Sequence, residues 1–340
     1  MPIVDHTLFL ASVGVYIDPD RPVGKAIITH GHADHARAGH GSVLATPETI
    51  AIMQARYGAD CARSFQPLPY GEYLALGDMT LSLHPAGHIL GSAQVLLEHK
   101  GRRIVVTGDY KTVPDATCAA FECVPCDLLI TEATFALPVF RHPPPAREID
   151  RLIDSLKTEA GRTHLVGAYA LGKAQRVIAL LRAQGYDRPI YLHGAMDRLC
   201  GLYQAHGVAL GSLRPVADTP ARDLAGEIVI APPSSLADRW SRRFGDPLRV
   251  MASGWMQVKQ RAKQRGVELP LVLSDHADWD ELTATIEATG ANEVWVTHGR
   301  EDALIHYCGT RGLKAAALAL AGRDEDGGDG HSPTGAAAGT

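Results

Sequence analysis

Apolar residues recur along this chain in short runs separated by polar, turn-forming stretches. Strands are expected at residues 7–10, 25–29, 80–84, 92–98, 103–107, 127–131, 164–168, 188–192, 227–230, 270–273 and 293–297. Several alternate apolar and polar positions, as half-buried strands do; others, such as Leu128-Leu129-Ile130, are continuous, as strands buried on both faces are. Helical patterns fill gaps between them. One starts at Thr46-Pro47-Glu48, with Thr46 as cap and Pro47 in the first turn. Others are expected over roughly 146–159, 172–184, 196–206, 254–264, 279–288 and 300–312. The reading is an α/β fold with substantial sheet content. A break near 137–147, marked by Pro138, Pro143, Pro144 and Pro145, reads as a linker or crossing loop. Strand–helix alternation follows to about residue 270. Strand ends bearing His or Asp stop within that stretch and resume at Ser274, which predicts one domain inserted into another. From about Gly322 the periodic apolar residues cease, and 322–340 are expected to form a disordered tail.

The 340 residues suffice for one large or two ordinary domains, and 46% hydrophobic with 21% charged residues is a globular composition. The formal net charge of -5 excludes a global basic field that would draw the chain to nucleic acid, while leaving a local one possible. No apolar run has membrane length. Met1-Pro2-Ile3-Val4-Asp5-His6 lacks the basic head and apolar segment of a signal peptide, so a cytoplasmic location is expected. Of six cysteines, only Cys118, Cys123 and Cys126 cluster, and no second pair completes a four-thiolate set. Ordinary buried or half-buried thiols are the expectation.

The candidate chemistry starts at Thr29-His30-Gly31-His32-Ala33-Asp34-His35. Three imidazoles and a carboxylate at such density have little use in a core, where each buried polar group needs a partner. Zinc-type cations use these donors. The preceding Lys25–Thr29 stretch reads as a strand, which puts the histidines on the loop at its C-terminal end. The form repeats: His88 follows one strand, Asp109 another, His276 and His298 two more. A strand-end Asp alone is usually a turn residue; the repetition makes the case. A carboxylate such as Asp109 can bridge two cations.

His30-x-His32-x-Asp34-His35, His88, Asp109 and His298 resemble the metal motifs of the metallo-β-lactamase fold. Glu132, His276 and His298 resemble the three additional motifs of the β-CASP nucleases, and Ala170-Leu171-Gly172-Lys173-Ala174-Gln175-Arg176 resembles a segment of their insertion. Phrases such as Ala252-Ser253-Gly254-Trp255-Met256 look similar to bacterial ligase-associated DNA exonucleases. The resemblance covers about residues 5–315. It implies a four-layer αβ/βα core from residues 1–140 and 270–320, with residues 145–268 as an inserted α/β cap. It implies one metal on His30, His32, His88 and Asp109 and another on Asp34, His35, Asp109 and His298, with Asp109 bridging. The expected cofactors are two divalent ions: zinc first, with manganese or iron suited to the same donors.

The implied activity is metal-dependent DNA exonuclease hydrolysis by a two-metal-activated hydroxide, with a lean toward 5′ ends. The implied setting is DNA repair beside an ATP-dependent DNA ligase, and a helicase is a further implied associate. The catalytic set is Asp34, Glu132 and His276, with His276 as general acid oriented by Glu132; Glu132 as partner of a ligand histidine is the alternative. Histidine at position 298 is usual among RNA-processing relatives, so ribonuclease action is the alternative function. Small-ester hydrolysis fits the core donors but leaves the insertion unused. For substrate contacts the candidates are Lys173 at a helix start, Ser253, Gly254 and Trp255, the last as a stacking platform. Arg261 and Lys263 belong to a basic run from Arg239 to Arg265 that could track a nucleic-acid backbone, or form a solvated face. Lys111 could meet a phosphate or lie on the surface.

Overall fold

A computed structural model describes residues 3–4 and 7–318, the side chains of Ile3, Val4 and His298 excepted. The tail expected at 322–340 and most of the leader reading at 1–6 therefore lie outside the described residues. Three sheets organise the chain. The first has the order Ile3–Val4, Phe9–Leu10, Val15–Ile17, Lys25–Ile27, His40–Ala45, Ala62–Pro67. The second runs Lys314–Ala317, Glu293–Gly299, Leu128–Ala133, Arg102–Val106, Ala93–His99, Met79–Pro85, Tyr73–Leu76. The third, of Leu213–Pro215, Ile190–Leu192, Ile228–Ala231, His164–Gly167, Leu248–Ala252 and Leu269–Leu271, is parallel at every pairing.

The first two sheets share one apolar core. Leu10, Ile17 and Ile27 from one meet Leu81, Leu83, Val95 and Ile104 from the other. The helix Pro47–Tyr57 packs Ile50 and Met53 on the opposite side of the first sheet, against Ala26 and Val43. Trp279–Thr289 and Glu301–Thr310 do the same for the second sheet, against Leu129 and Val294. The third sheet is sandwiched separately. Val166, Ile228 and Val250 face helices Pro145–Thr158, Lys173–Ala183 and Gly194–Ala205. Leu165, Val229 and Met251 face short helical turns that include Trp240–Phe244 and Lys259–Gln264. Burial on both faces explains why His164–Gly167 and Ile228–Ala231 are buried at every position.

Local chemistry accounts for the element ends. The Thr46 hydroxyl accepts from the Thr49 N–H at 3.2 Å, with Pro47 opening the helix. The Asp278 carboxylate caps Trp279–Thr289, and Glu281 reaches back to the Asp278 N–H at 3.0 Å. The helix expected over 254–264 is two pieces, a 3-10 turn Gly254–Gln257 and an α-helix Lys259–Gln264, because Val258 is extended. Strands His40–Ala45, Ala62–Pro67, Tyr73–Leu76, Leu248–Ala252 and Lys314–Ala317 lack the expected pattern. Ala62–Pro67 is a mostly exposed edge, and Lys314–Ala317 is nearly all alanine. Among the described residues, no helix is long and apolar enough to cross a membrane.

Candidate metal centre

Strand ends from both face-packed sheets open on one place. Lys25–Ile27 leads to His30–His35, Met79–Pro85 to His88, and Arg102–Val106 to Asp109, while Leu128–Ala133 carries Glu132. Leu269–Leu271, the edge of the third sheet, leads to Asp275 and His276. The loops are tied together: Ala93 N–H donates to the Thr29 carbonyl at 2.8 Å and Lys111 N–H to that of Ala86 at 3.0 Å. Gly87 has φ +72°, and a Cβ there would stand 2.2 Å from the Lys111 carbonyl oxygen, so only glycine lets this loop close on the Asp109 loop.

Donor atoms of His30, His32, His88 and Asp109 all lie within 4.8 Å of one another, as do those of Asp34, His35 and Asp109. His32 Nδ1 stands 3.2 Å from His30 Nε2 and 3.0 Å from His88 Nε2. Asp109 Oδ2 is 3.3 Å from His30 Nε2, 3.4 Å from His35 Nε2 and 3.8 Å from His88 Nε2. His35 Nε2 is 3.5 Å from Asp34 Oδ2. Tetrahedral donors about 2.1 Å from a zinc ion are separated by roughly 3.4 Å, so the spacing and the donor types both fit divalent cations. Asp109 belongs to both groups through one oxygen.

The outer nitrogen of each histidine is committed elsewhere. His35 Nδ1 donates to Asp18 Oδ2 at 2.7 Å and His88 Nδ1 to the Asp275 carbonyl at 2.8 Å. His32 Nε2 donates to the Leu171 carbonyl at 3.2 Å. Thr29 Oγ1 gives its proton to Asp18 Oδ2 at 2.6 Å, which leaves it to accept from His30 Nδ1 at 3.1 Å. These bonds fix the tautomers and turn four lone pairs inward. Asp18 is the functional residue missed in the sequence. Its signal was Val15-Tyr16-Ile17-Asp18, the same apolar strand followed by a carboxylate, and its φ of +45° is one Asp tolerates.

Burial lowers the His30 imidazole to about 4, helped by the neighbouring His35 and opposed by Asp109. Burial with His276, His30 and His32 holds His88 well below the usual histidine range. Both are therefore neutral and able to ligate. Burial would raise Asp109, but the neighbouring His35 and His276 outweigh it and keep the carboxyl well below the ordinary carboxylate range. Asp34 is lowered in the same way, with His35 overcoming burial.

Beside the donors, His276 Nδ1 donates to Glu132 Oε2 at 3.0 Å, and its ring lies 4.7 Å from that of His88. Tyr110 N–H donates to Glu132 Oε1 at 2.8 Å. Burial alone would lower His276; the Glu132 and Asp109 charges lift it to about 9. Burial pushes Glu132 up while the adjoining imidazolium pulls it back. The pair thus keeps a proton on a ring still 21% exposed.

His298 lies on Glu293–Gly299, parallel to the strand of Glu132, but its side chain lies outside the described residues. The expected substrate contacts divide. Lys173 is buried and spends its ammonium on Asp275 Oδ1 at 2.6 Å and the Leu273 carbonyl at 2.9 Å, so it does not reach for a phosphate. Lys111 is likewise buried, paired with Glu281. Ser253 is buried and accepts from Trp255 N–H at 3.3 Å. Gly254 is buried where a Cβ would stand 2.5 Å from the Phe135 ring, so both support the turn instead of facing solvent. Trp255 is half-buried against Phe135 and Phe140, with the Arg261 guanidinium 4.1 Å from its ring centroid. Lys263 is exposed.

No family model matches the chain. A probable DNA ligase of Opitutus terrae is 31% identical over 92% of this chain, which covers 30% of that protein. A ribonuclease of Thermus thermophilus is 28% identical over 55% of this chain, which covers 50% of it. An endoribonuclease of Neurospora crassa is 28% identical over 54% of this chain, which covers 22% of it. The chain thus spans half or less of the length of these relatives. Among solved structures, a protein of unknown function from Enterococcus faecalis shares the fold, with a TM-score of 0.53 at 14% identity over 80% of this chain and 74% of that one.

Proposed function

Because the chain belongs to the metallo-β-lactamase/β-CASP family, we propose that it is a metal-dependent phosphodiesterase that degrades DNA from an end, with preference for the 5′ end. On this reading the face-packed sheets and their outer helices are a four-layer αβ/βα core, residues 1–140 and 270–320, and residues 145–268 are its cap. The apolar core common to both sheets supports that division. The observation that carries the proposal is Asp109 Oδ2, within 3.3 and 3.4 Å of His30 and His35, one from each donor group.

His30, His32, His88 and Asp109 would hold one cation, and Asp34, His35, Asp109 and His298 the other, with zinc first and manganese or iron alternatives. Two such ions supply charge neutralisation and a water acidic enough to attack at neutral pH. The chain's own residues do the rest. His276 holds a proton at Nε2, since Nδ1 is engaged by Glu132, and gives it to the leaving sugar oxygen. Glu132, fixed by the Tyr110 N–H, orients that ring and maintains its charge. Asp34, a third exposed, serves as a ligand and not as a base.

DNA as substrate is supported by the probable DNA ligase, which aligns with nearly the whole chain while the chain covers under a third of it. On the same reading the setting is the cytoplasm, beside an ATP-dependent DNA ligase and a helicase; the name of that relative supports the ligase. Ribonuclease action is the second reading, favoured by the names of the Thermus and Neurospora relatives. Matched DNA and RNA oligonucleotides, blocked at either end, and covalently closed circles test both. Linear DNA should be degraded, a 5′ block should stop it, and circles should survive. Cleaved circles would overturn the exonuclease reading, and faster RNA degradation would establish the ribonuclease one.

A further inference from the structure

The insertion reaches the donor set itself. The carbonyl that accepts from His32 Nε2 is that of Leu171, in the turn before helix Lys173–Ala183. That turn needs Gly172 at φ +82°, where a Cβ would come within 2.3 Å of Ile89 Cγ2 in the His88 loop. One helical turn on, the buried Arg176 guanidinium donates to the carbonyls of Gly87 and His88 at 3.2 Å each and of Ser274 at 3.1 Å. Asp115 neutralises it at 3.2 Å. Lys173 grips Asp275 Oδ1, and the Asp275 carbonyl is the acceptor for His88 Nδ1.

Buried ions of this kind are poor stabilisers compared with apolar packing, because their desolvation offsets their attraction. What they provide is geometry. We propose that Lys173 and Arg176 are positioning residues for the metal centre: the insertion completes it by fixing the outer hydrogen bonds of His32 and His88. This rests on the metal reading of those histidines. The physical basis is that a ligand's outer partner sets its tautomer and aim, and removing such partners weakens metal binding by about 10- to 100-fold. Moving the insertion away would leave His32 Nε2 without its acceptor and release the Asp275 loop, so the cap cannot lift without degrading the donor set.

The test is zinc affinity, measured by competition with a fluorescent chelator on the full chain, beside thermal melting of the metal-free protein. Lys173→Met and Arg176→Met should each weaken zinc binding about tenfold or more. Glu148→Ala is the control: Glu148 is buried in the same region and accepts from Val272 N–H at 2.8 Å and Arg151 Nη1 at 2.6 Å, and its hydrogen bonds among the described residues include none to the metal-site histidines or aspartates. It should lower the melting temperature and leave zinc affinity within about threefold, since outer-partner effects are specific to ligands. If Arg176→Met does not fold, Arg176→Lys, which keeps the charge but loses the fork, carries the same threshold. Unchanged affinity in the Lys173 and Arg176 variants, or an equal loss in Glu148→Ala, would overturn the proposal. Because no substrate is involved, failure here is separable from failure of the nuclease reading, which the DNA and RNA assays decide.

Discussion

Asp18→Asn is a sharp perturbation of this centre because it changes one atom's chemistry and little else. Asp18 accepts three hydrogen bonds: Thr29 N–H at 2.8 Å on Oδ1, and Thr29 Oγ1 at 2.6 Å and His35 Nδ1 at 2.7 Å on Oδ2. Asparagine adopts the φ of +45° at least as readily, so the backbone gives no penalty. Its carbonyl can keep the Thr29 N–H, but the NH2 then faces two donors. The threonine hydroxyl can turn round. His35 cannot donate to an amide nitrogen, and its escape is to move the proton to Nε2, the atom 3.4 Å from Asp109 Oδ2 that must stay bare to ligate. Each hydrogen bond to a charged group contributes about 1.5–3 kcal/mol. Losing the His35 bond should therefore weaken binding at the Asp34–His35–Asp109 group by about 10- to 100-fold, equivalent to about 1.4–2.8 kcal/mol. Chelator competition should show one of two zinc ions released early, with the other near wild-type affinity. Affinity within about twofold of wild type for both would refute the assignment of Asp18 as the residue that aims His35.

Three further outcomes follow from the same geometry. Asp109→Asn should lower zinc content measured by native mass spectrometry below one per chain, because its Oδ2 serves both donor groups; retention of two would exclude bridging. In Glu132→Gln, His276 loses the carboxylate that lifts it to about 9. The acid form of a raised histidine is present at low pH and lost as pH rises through its pKa, so the alkaline limb of the kcat/KM profile should move down by about one unit or more. An unmoved limb would remove His276 as the acid. Lys263→Ala should reduce the salt dependence of DNA binding by about one unit of slope if this exposed lysine meets a phosphate, and an unchanged slope would make it part of a solvated face.

Much of the centre could be read from the chain because metal chemistry repeats a local form: an apolar strand, a small residue, then His or Asp. Each instance carries its own signal, so His30, His32, His88 and Asp109 stand out along the chain, while their assignment to one ligand set comes from the family resemblance. What eluded sequence reading depends on contacts far apart in the chain. Lys173 at a helix start looks like a phosphate contact; only its meeting with Asp275, 102 residues on, shows it buried and engaged. Gly254 has the sequence setting of a cleft residue, but Phe135 closes over it, and Ser253 beside it is buried. Strand Leu248–Ala252 was hidden inside a cation-rich run, and Ala62–Pro67 carries the polar pattern of an edge. Asp18 had the right local form, but only the approach of His35 gives it a role.

Two cations sharing Asp109 would make this chain a nuclease acting from DNA ends. The most direct measurement is release of a terminal label from linear DNA by metal-free protein titrated with zinc or manganese, run beside a closed circle of the same sequence. The expected result is no release without metal, a rise that levels at two equivalents per chain, and an intact circle. Release that persists in excess chelator, or that levels at one equivalent, would contradict it.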